Sequence, residues 1–432
     1  MIFQVLRLYF LKKSLHRKNK IIVSKITVIS RDVRKERKYI VFVNIKMFII
    51  LWFPYFIQSI FILFFIKTFL QQFCLFNNKI FMKTSQKVWI LSSYGFAHMV
   101  VDFTCAATVM TIYAKWLLSD LWIFFAILIY NILAFGLQTV FWSLTDKFQC
   151  PKLTALLGCG LVALWAVVLW FCPWCATILV WLWNALFHVG GGVICIWVNP
   201  EKATPSGIFV APWAFGLLMW IMLWKSWNFV WWYWVALLAI SAAAMILSSK
   251  QLDIYSIINK FAKEQRTNFK TWVAVIAILL LLSIVIRSFV WFIVNYPWKV
   301  WTLVIIFTIC IVLGKALWWV LADKFGWKRV WVISLLLSLP CLLFGSQSIV
   351  FGMIGIFLFN ITMPIALIAL IKAMPKRWWL AFGLLCLALL VGALPSLLGV
   401  NFTEITNVLL IVLILISSFV LYFALDWLNV EK

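Results

Sequence analysis

Beyond residue 82 the chain is a succession of apolar runs of roughly 20 residues separated by short polar segments, and no other feature constrains the fold as strongly. A helix rising about 1.5 Å per residue needs about 20 residues to cross about 30 Å of hydrocarbon. Backbone polar groups in hydrocarbon must be satisfied within the structure, which leaves helices and closed barrels. Barrel strands alternate apolar and polar over about 10 residues, whereas these runs are uniformly apolar. The expected fold class is an all-α membrane protein with many spans. Composition agrees: 66% of residues are hydrophobic and 11% charged, against about 25% charged in a soluble domain. A net charge of +25 would suggest nucleic acid as partner of a soluble chain. Here it reads as loop Lys and Arg on one side of a membrane, and no nucleic-acid partner is expected.

Twelve spans are legible, near 88–114, 121–144, 152–171, 175–198, 206–224, 227–248, 271–295, 299–321, 329–346, 349–372, 378–399 and 405–428. With Met82 placed inside, seventeen Lys and Arg of the loops and tails fall inside, and only Lys115, Lys225 and Lys299 outside. A wrong helix count would scramble that asymmetry. The expected setting is a cell (inner) membrane, crossed many times, with both ends of the 82–432 core cytoplasmic. The hydrophilic linker 249–270 divides that core into six-helix halves, 82–248 and 271–432. Residues 1–81 differ in kind: they hold no Gly or Ala, and 15 Lys and Arg against Asp32 and Glu36. Met82 opens Met-Lys-Thr-Ser-Gln-Lys, so translation from Met82 is one expectation; a genuine anchor or basic tail is the other.

The halves repeat a motif between their second and third spans. The first copy reads Trp142-Ser-Leu-Thr-Asp146-Lys147, and the second Trp319-Val-Leu-Ala-Asp323-Lys324-Phe325-Gly326-Trp-Lys328-Arg329. An acid beside basic residues is by itself a solvated turn. The same pattern at one topological position in both halves points to parallel repeats, a transporter architecture. This sequence resembles the major facilitator superfamily, whose loop signature is G-x-L-A-D-R-x-G-R-K. The resemblance implies twelve helices in two pseudo-symmetric halves, and a cytoplasmic latch formed by the loop acids and their basic neighbours. Gly207-x-x-x-Ala211-Pro212-x-x-Phe215-Gly216 resembles a degenerate antiporter motif of the fifth helix. His98-x-x-x-Asp102-Phe103, Asn184-Ala-Leu-Phe-His188 and Arg287-Ser288 are similar to the fosmidomycin-resistance-like drug exporters.

Trp142 and Trp319 stand where the loop motif has glycine, and Trp213 follows Pro212 in a motif of small residues. The chain has 29 Trp and 17 Gly, whereas average usage would give about 30 Gly. Trp183, Trp220 and Trp291 also lie within spans rather than at interfaces. UGA codons read as glycine would produce this pattern; a Trp-rich protein is the alternative.

Ionisable residues inside spans are costly and mark candidate sites. Asp102 and His98 lie four apart in the first span, Asn184 and His188 four apart in the fourth, Arg287 in the seventh and Asn360 in the tenth. The resemblance makes those four helices the lining of a central cavity. Asp102 and His98 are the candidates for proton coupling; Asn184, His188, Arg287 and Asn360 for the substrate cavity, with Arg287 suited to an anion or to pairing with Asp102. A static buried network is the bland alternative. Lys315, nearer the cytoplasmic end, reads as snorkelling or as bracing the loop motif.

Cys172-Pro-Trp-Cys175 has redox spacing without a βαβ context. No phosphate-binding glycine loop occurs and no cluster shows zinc-ligand spacing, so neither cofactor nor metal is expected. The expected function is secondary transport by a monomer in the bilayer, moving a small molecule, with proton-coupled export favoured. Proton symport of an organic anion is the alternative. A polytopic membrane enzyme with His188 as base is the reading from another class.

Overall fold

The computed structural model describes residues 84–116, 128–141, 150–168, 173–223, 231–250, 252, 271–299, 301–360, 362–374, 377–400 and 402–428. The helices in chain order are α1 (Thr84–Trp116), α2 (Leu128–Phe141), α3 (Pro151–Val168), α4 (Pro173–Val198), α5 (Thr204–Val210), α6 (Trp213–Leu223), α7 (Trp231–Ser249), α8 (Thr271–Ile293), α9 (Trp301–Phe325), α10 (Trp327–Leu343), α11 (Ile349–Phe359), α12 (Thr362–Ala373), α13 (Trp378–Leu397) and α14 (Thr406–Trp427). Each of the twelve expected spans coincides with one of these helices or with a consecutive pair. Among the described residues α4, α8, α9, α10, α13 and α14 are long and apolar enough to cross a membrane. The described residues from Trp89 onwards make one compact unit. Met82, the extension before it, the linker 253–270 and Cys172 lie outside the described residues.

Among the described residues three spans are visibly interrupted. The fifth is α5 and α6, broken at Ala211–Pro212; Pro212 has no N–H to bond the Ile208 carbonyl. The tenth is α11 and α12, broken at Asn360, and Pro364 likewise offers no N–H to the Asn360 carbonyl. A π-turn interrupts α2 at Ile132–Gly136. Such breaks at membrane depth survive only where protein or a wet cavity satisfies the freed groups.

Small residues set the helix crossings. A Cβ on Gly158 of α3 would lie 2.5 Å from the Phe187 amide nitrogen of α4, and one on Gly190 of α4 2.5 Å from the Ala155 nitrogen of α3. A Cβ on Gly191 would lie 3.1 Å from the Phe209 ring of α5, and one on Gly192 2.5 Å from the Phe382 ring of α13. Successive helical residues turn about 100°, so three consecutive glycines let α4 approach three neighbours at one level. Gly216 of α6 lies against the Met99 carbonyl of α1. The periphery carries the converse: α14 exposes Val408, Val412, Leu415 and Phe419, a face suited to lipid. Inside, the indole N–H groups of Trp181, Trp183, Trp197, Trp331 and Trp379 are buried without a hydrogen-bond partner among the described residues.

Candidate functional site

α1 and α4 bring three of the candidates together. Asp102 is 3% exposed and His98 2%. His98 Nε2 lies 3.0 Å from Asp102 Oδ2, as their i, i+4 spacing on α1 dictates. His188 reaches the other carboxylate oxygen from α4, its Nε2 3.5 Å from Asp102 Oδ1. Both imidazoles are held from behind. His98 Nδ1–H donates to the Phe209 carbonyl, at the broken end of α5, at 2.7 Å. His188 Nδ1–H donates to the Asn184 carbonyl one turn back on α4 at 2.9 Å. A carbonyl only accepts, so these bonds fix Nδ1 as the protonated nitrogen and turn each Nε2 towards Asp102. The rings meet edge-on, centroids 4.5 Å apart, and Phe209 stacks on His98 at 4.4 Å.

The second group lies on the other half. Arg287 of α8, 7% exposed, donates from Nη2 to Asn360 Oδ1 at 3.2 Å. Asn360 Nδ2 in turn donates to the Ile356 carbonyl at 2.8 Å, so the tenth-span break is tied to the guanidinium. The Phe359 ring lies 5.6 Å from Arg287 Cζ, and Arg287 Nε has no hydrogen-bond partner among the described residues. Pairing of Arg287 with Asp102 is not what forms, since Asp102 is taken by the two histidines. Asn184 is buried behind His188. Lys315 departs from its sequence reading: it is 4% exposed and faces the Trp213 ring of α6 at 4.4 Å, within electrostatic range of Arg287 and Asp102. It does not snorkel. The available signal was a lysine ten residues inside α9. Among the described residues Asp102 is the only buried carboxylate, against the buried cations Arg287, Lys299 and Lys315.

The loop motif forms a third group, of which the second copy is described; Trp142, Asp146 and Lys147 lie outside the described residues. Asp323, at the end of α9, accepts hydrogen bonds from the Ala203 amide at 2.9 Å and the Thr204 amide at 3.1 Å. It accepts two more, from Thr204 Oγ1 and from Trp327 Nε1. The amides belong to the first turn of α5, where a carboxylate also meets the positive end of a helix dipole. Gly326 adopts φ 95°, opening α10 in a conformation that disfavours any side chain. Lys328 is not a partner of Asp323: its Nζ lies 2.6 Å from Asp426 of α14 and 4.0 Å from the Tyr422 ring. Lys324 and Arg329 are exposed, and Trp319 lies within α9. In the fifth span Gly207 is buried in α5, while Pro212 and Gly216 pack on α1 at Gly95 and Met99. At the same end as Asp323, Trp197 of α4 packs edge-on against Trp379 of α13, centroids 5.3 Å apart. Gly383 of α13 would bring a Cβ within 3.0 Å of Thr139 Cα of α2. The two halves are therefore joined at the motif-bearing end.

No protein-family model matches the sequence, nor does any curated protein. Solved structures do match in fold. The E. coli fucose:proton symporter FucP superposes with a TM-score of 0.56 at 11% identity, covering 78% of this chain and 98% of its own. The human organic anion transporter MFSD10 (TETRAN) gives 0.56 at 12% identity, covering 78% and 99%. The chain is an all-α, multi-pass membrane protein with the major facilitator fold. At such identities the likeness defines the fold and nothing narrower.

Proposed function

We propose that the protein is a secondary active transporter that works by alternating access, exporting a small solute in exchange for protons. The observation that carries this reading is the Asp323 junction. It joins the halves at one end through hydrogen bonds to the opening turn of α5, contacts that make and break as a set when halves rock about a central site. The Lys and Arg distribution makes that end cytoplasmic, so the bonded state is the one closed to the cytoplasm, as the loop-motif resemblance implies. Asp102 and His98 keep their candidacy for the coupling ion, with His188 added as a third group. Arg287 and Lys315, two buried cations, favour a solute with an anionic group. That observation also supports the second reading, uptake of an organic anion by proton symport, and the named structural neighbours include both a proton symporter and an anion transporter.

The test is flux into proteoliposomes of the purified chain under an imposed pH gradient, across a panel of anionic, neutral and cationic compounds. Gradient-driven accumulation of at least one anion is expected, and its direction separates export from symport. If no compound responds to any gradient while the protein turns over a lipid-soluble ester or amide, the enzyme reading with His188 as base replaces this one.

A further inference from the structure

Sequence spacing offers no metal signature, because the third ligand arrives from another helix. His98 Nε2, His188 Nε2 and an Asp102 oxygen lie within 4.8 Å of one another. We propose that this cluster is a binding site for a divalent first-row transition-metal ion, of which Zn²⁺ best suits two imidazoles and one carboxylate.

Four features of the site argue for it. First, both Nδ1–H groups are committed to backbone carbonyls, the outer-shell arrangement that orients metal-binding histidines and leaves Nε2 as the ligand. Second, His98 Nε2 and Asp102 Oδ2 are fully buried and 3.0 Å apart, with no well-directed hydrogen bond to either atom among the described residues. Two lone-pair atoms held that close in a low-dielectric interior repel unless a cation lies between them. Third, one proton would satisfy one imidazole and leave the other lone pair facing the carboxylate, whereas one divalent ion satisfies all three donors. Fourth, the spacing fits. Ligands about 2.0–2.1 Å from a tetrahedral zinc stand about 3.3 Å apart; each imidazole lies 3.0 or 3.5 Å from its own carboxylate oxygen, and the three ligand atoms lie within 4.8 Å of one another, so the side chains need only draw together slightly around an ion. Three protein ligands leave a fourth position open, on the side where His188 is the most exposed of the three. An anionic solute group drawn by Arg287 and Lys315 suits that position; this last step rests on the proposed transport function, while the metal site itself does not.

The experiment uses the purified full chain in detergent with Co²⁺ alone as a spectroscopic probe and Zn²⁺ as competitor. One Co²⁺ per chain is expected, with the intense visible bands of a four-coordinate site, removed by Zn²⁺. Asp102→Asn and His98→Gln are each expected to weaken binding more than about a hundredfold, since loss of an outer-shell partner alone costs about 10–100-fold. Because either could disturb folding, His188→Cys is the second arm. It keeps a ligand, so binding persists and a sulfur-to-cobalt charge-transfer band appears. Absence of stoichiometric Co²⁺, unchanged binding in Asp102→Asn, or binding in His188→Cys without the new band each overturns the site; the first would mark the cluster as an imidazolium–carboxylate network. Radioactive Zn²⁺ trapped in proteoliposomes then separates an ion that is carried from one that stays. A chain that binds Co²⁺ yet moves no solute leaves this site standing and removes the transport reading; transport without Co²⁺ binding does the reverse.

Discussion

Replacing Asp323 by asparagine keeps the side chain's shape and removes its charge, so it isolates the junction between the halves. Three of its four hydrogen bonds come from the opposite half: the Ala203 amide, the Thr204 amide and the Thr204 hydroxyl. A bond to a charged acceptor contributes about 1.5–3 kcal/mol net and a neutral one about 1 kcal/mol. Asparagine offers one acceptor oxygen, and its NH₂ would confront one of the donors. Losing one cross-half bond and the charge on the others costs on the order of 3 kcal/mol. That moves the equilibrium between joined and parted ends by about a hundredfold, at about 1.4 kcal/mol per factor of ten. Hydrogen–deuterium exchange read by mass spectrometry on a peptide covering residues 199–206 reports the two amides directly. Their exchange is expected to rise about a hundredfold in Asp323→Asn, while peptides from the buried middle of α4 stay unchanged. Unaltered exchange at 203 and 204 would refute the junction, and a rise across all helices would mean global destabilisation instead.

Arg287→Lys keeps the charge but loses the planar fork and the Asn360 bond, so affinity for anionic solutes is expected to fall roughly tenfold to a hundredfold, and for neutral ones little; equilibrium binding in detergent checks it. Gly158→Ala forces a Cβ onto the Phe187 backbone and is expected to cost about 1–3 kcal/mol, read as a lower melting temperature. Gly160→Ala, with nothing within 4 Å of its Cβ, is the matched control and should not lose stability. If Trp142, Trp183, Trp213 and Trp319 are glycine in the cell, peptide masses of the protein from its own source will show glycine there; UGG codons at all four positions would end that reading. Five interior indoles, Trp183 among them, have no hydrogen-bond partner among the described residues, which favours the reading for this class of position, since each buried unsatisfied donor costs about 1–3 kcal/mol.

Spans and their order were legible because apolar length is a local property; the break in the fifth was not read, although Pro212 carried its signal. His98 and Asp102 were legible as a pair because both lie on one helix, where spacing fixes the face. The meeting of His188 with Asp102 was not, since it depends on the rotation of α4 against α1, which the close approaches of Gly158 and Gly190 help set. Lys315 was misjudged for a similar reason: distance from a helix end does not say which neighbour stands opposite. Lys328 was grouped with Asp323 by adjacency, yet the helical turn beginning at Gly326 carries it to Asp426. The break at Asn360 had a signal in Pro364, four residues on.

The Asp323 junction is written asymmetrically. On one side it depends on a particular side chain; on the other, two of its donors are main-chain amides at Ala203 and Thr204. Almost any residue at 203 supplies the same N–H, proline excepted. Genetic drift can therefore rewrite position 203 freely while Asp323 stays pinned. A search for covarying pairs across the two halves would find Thr204, through its hydroxyl, and miss the Ala203 contact altogether. Suppressors of an Asp323 defect should accordingly arise not at 203 but at positions that shift the whole first turn of α5.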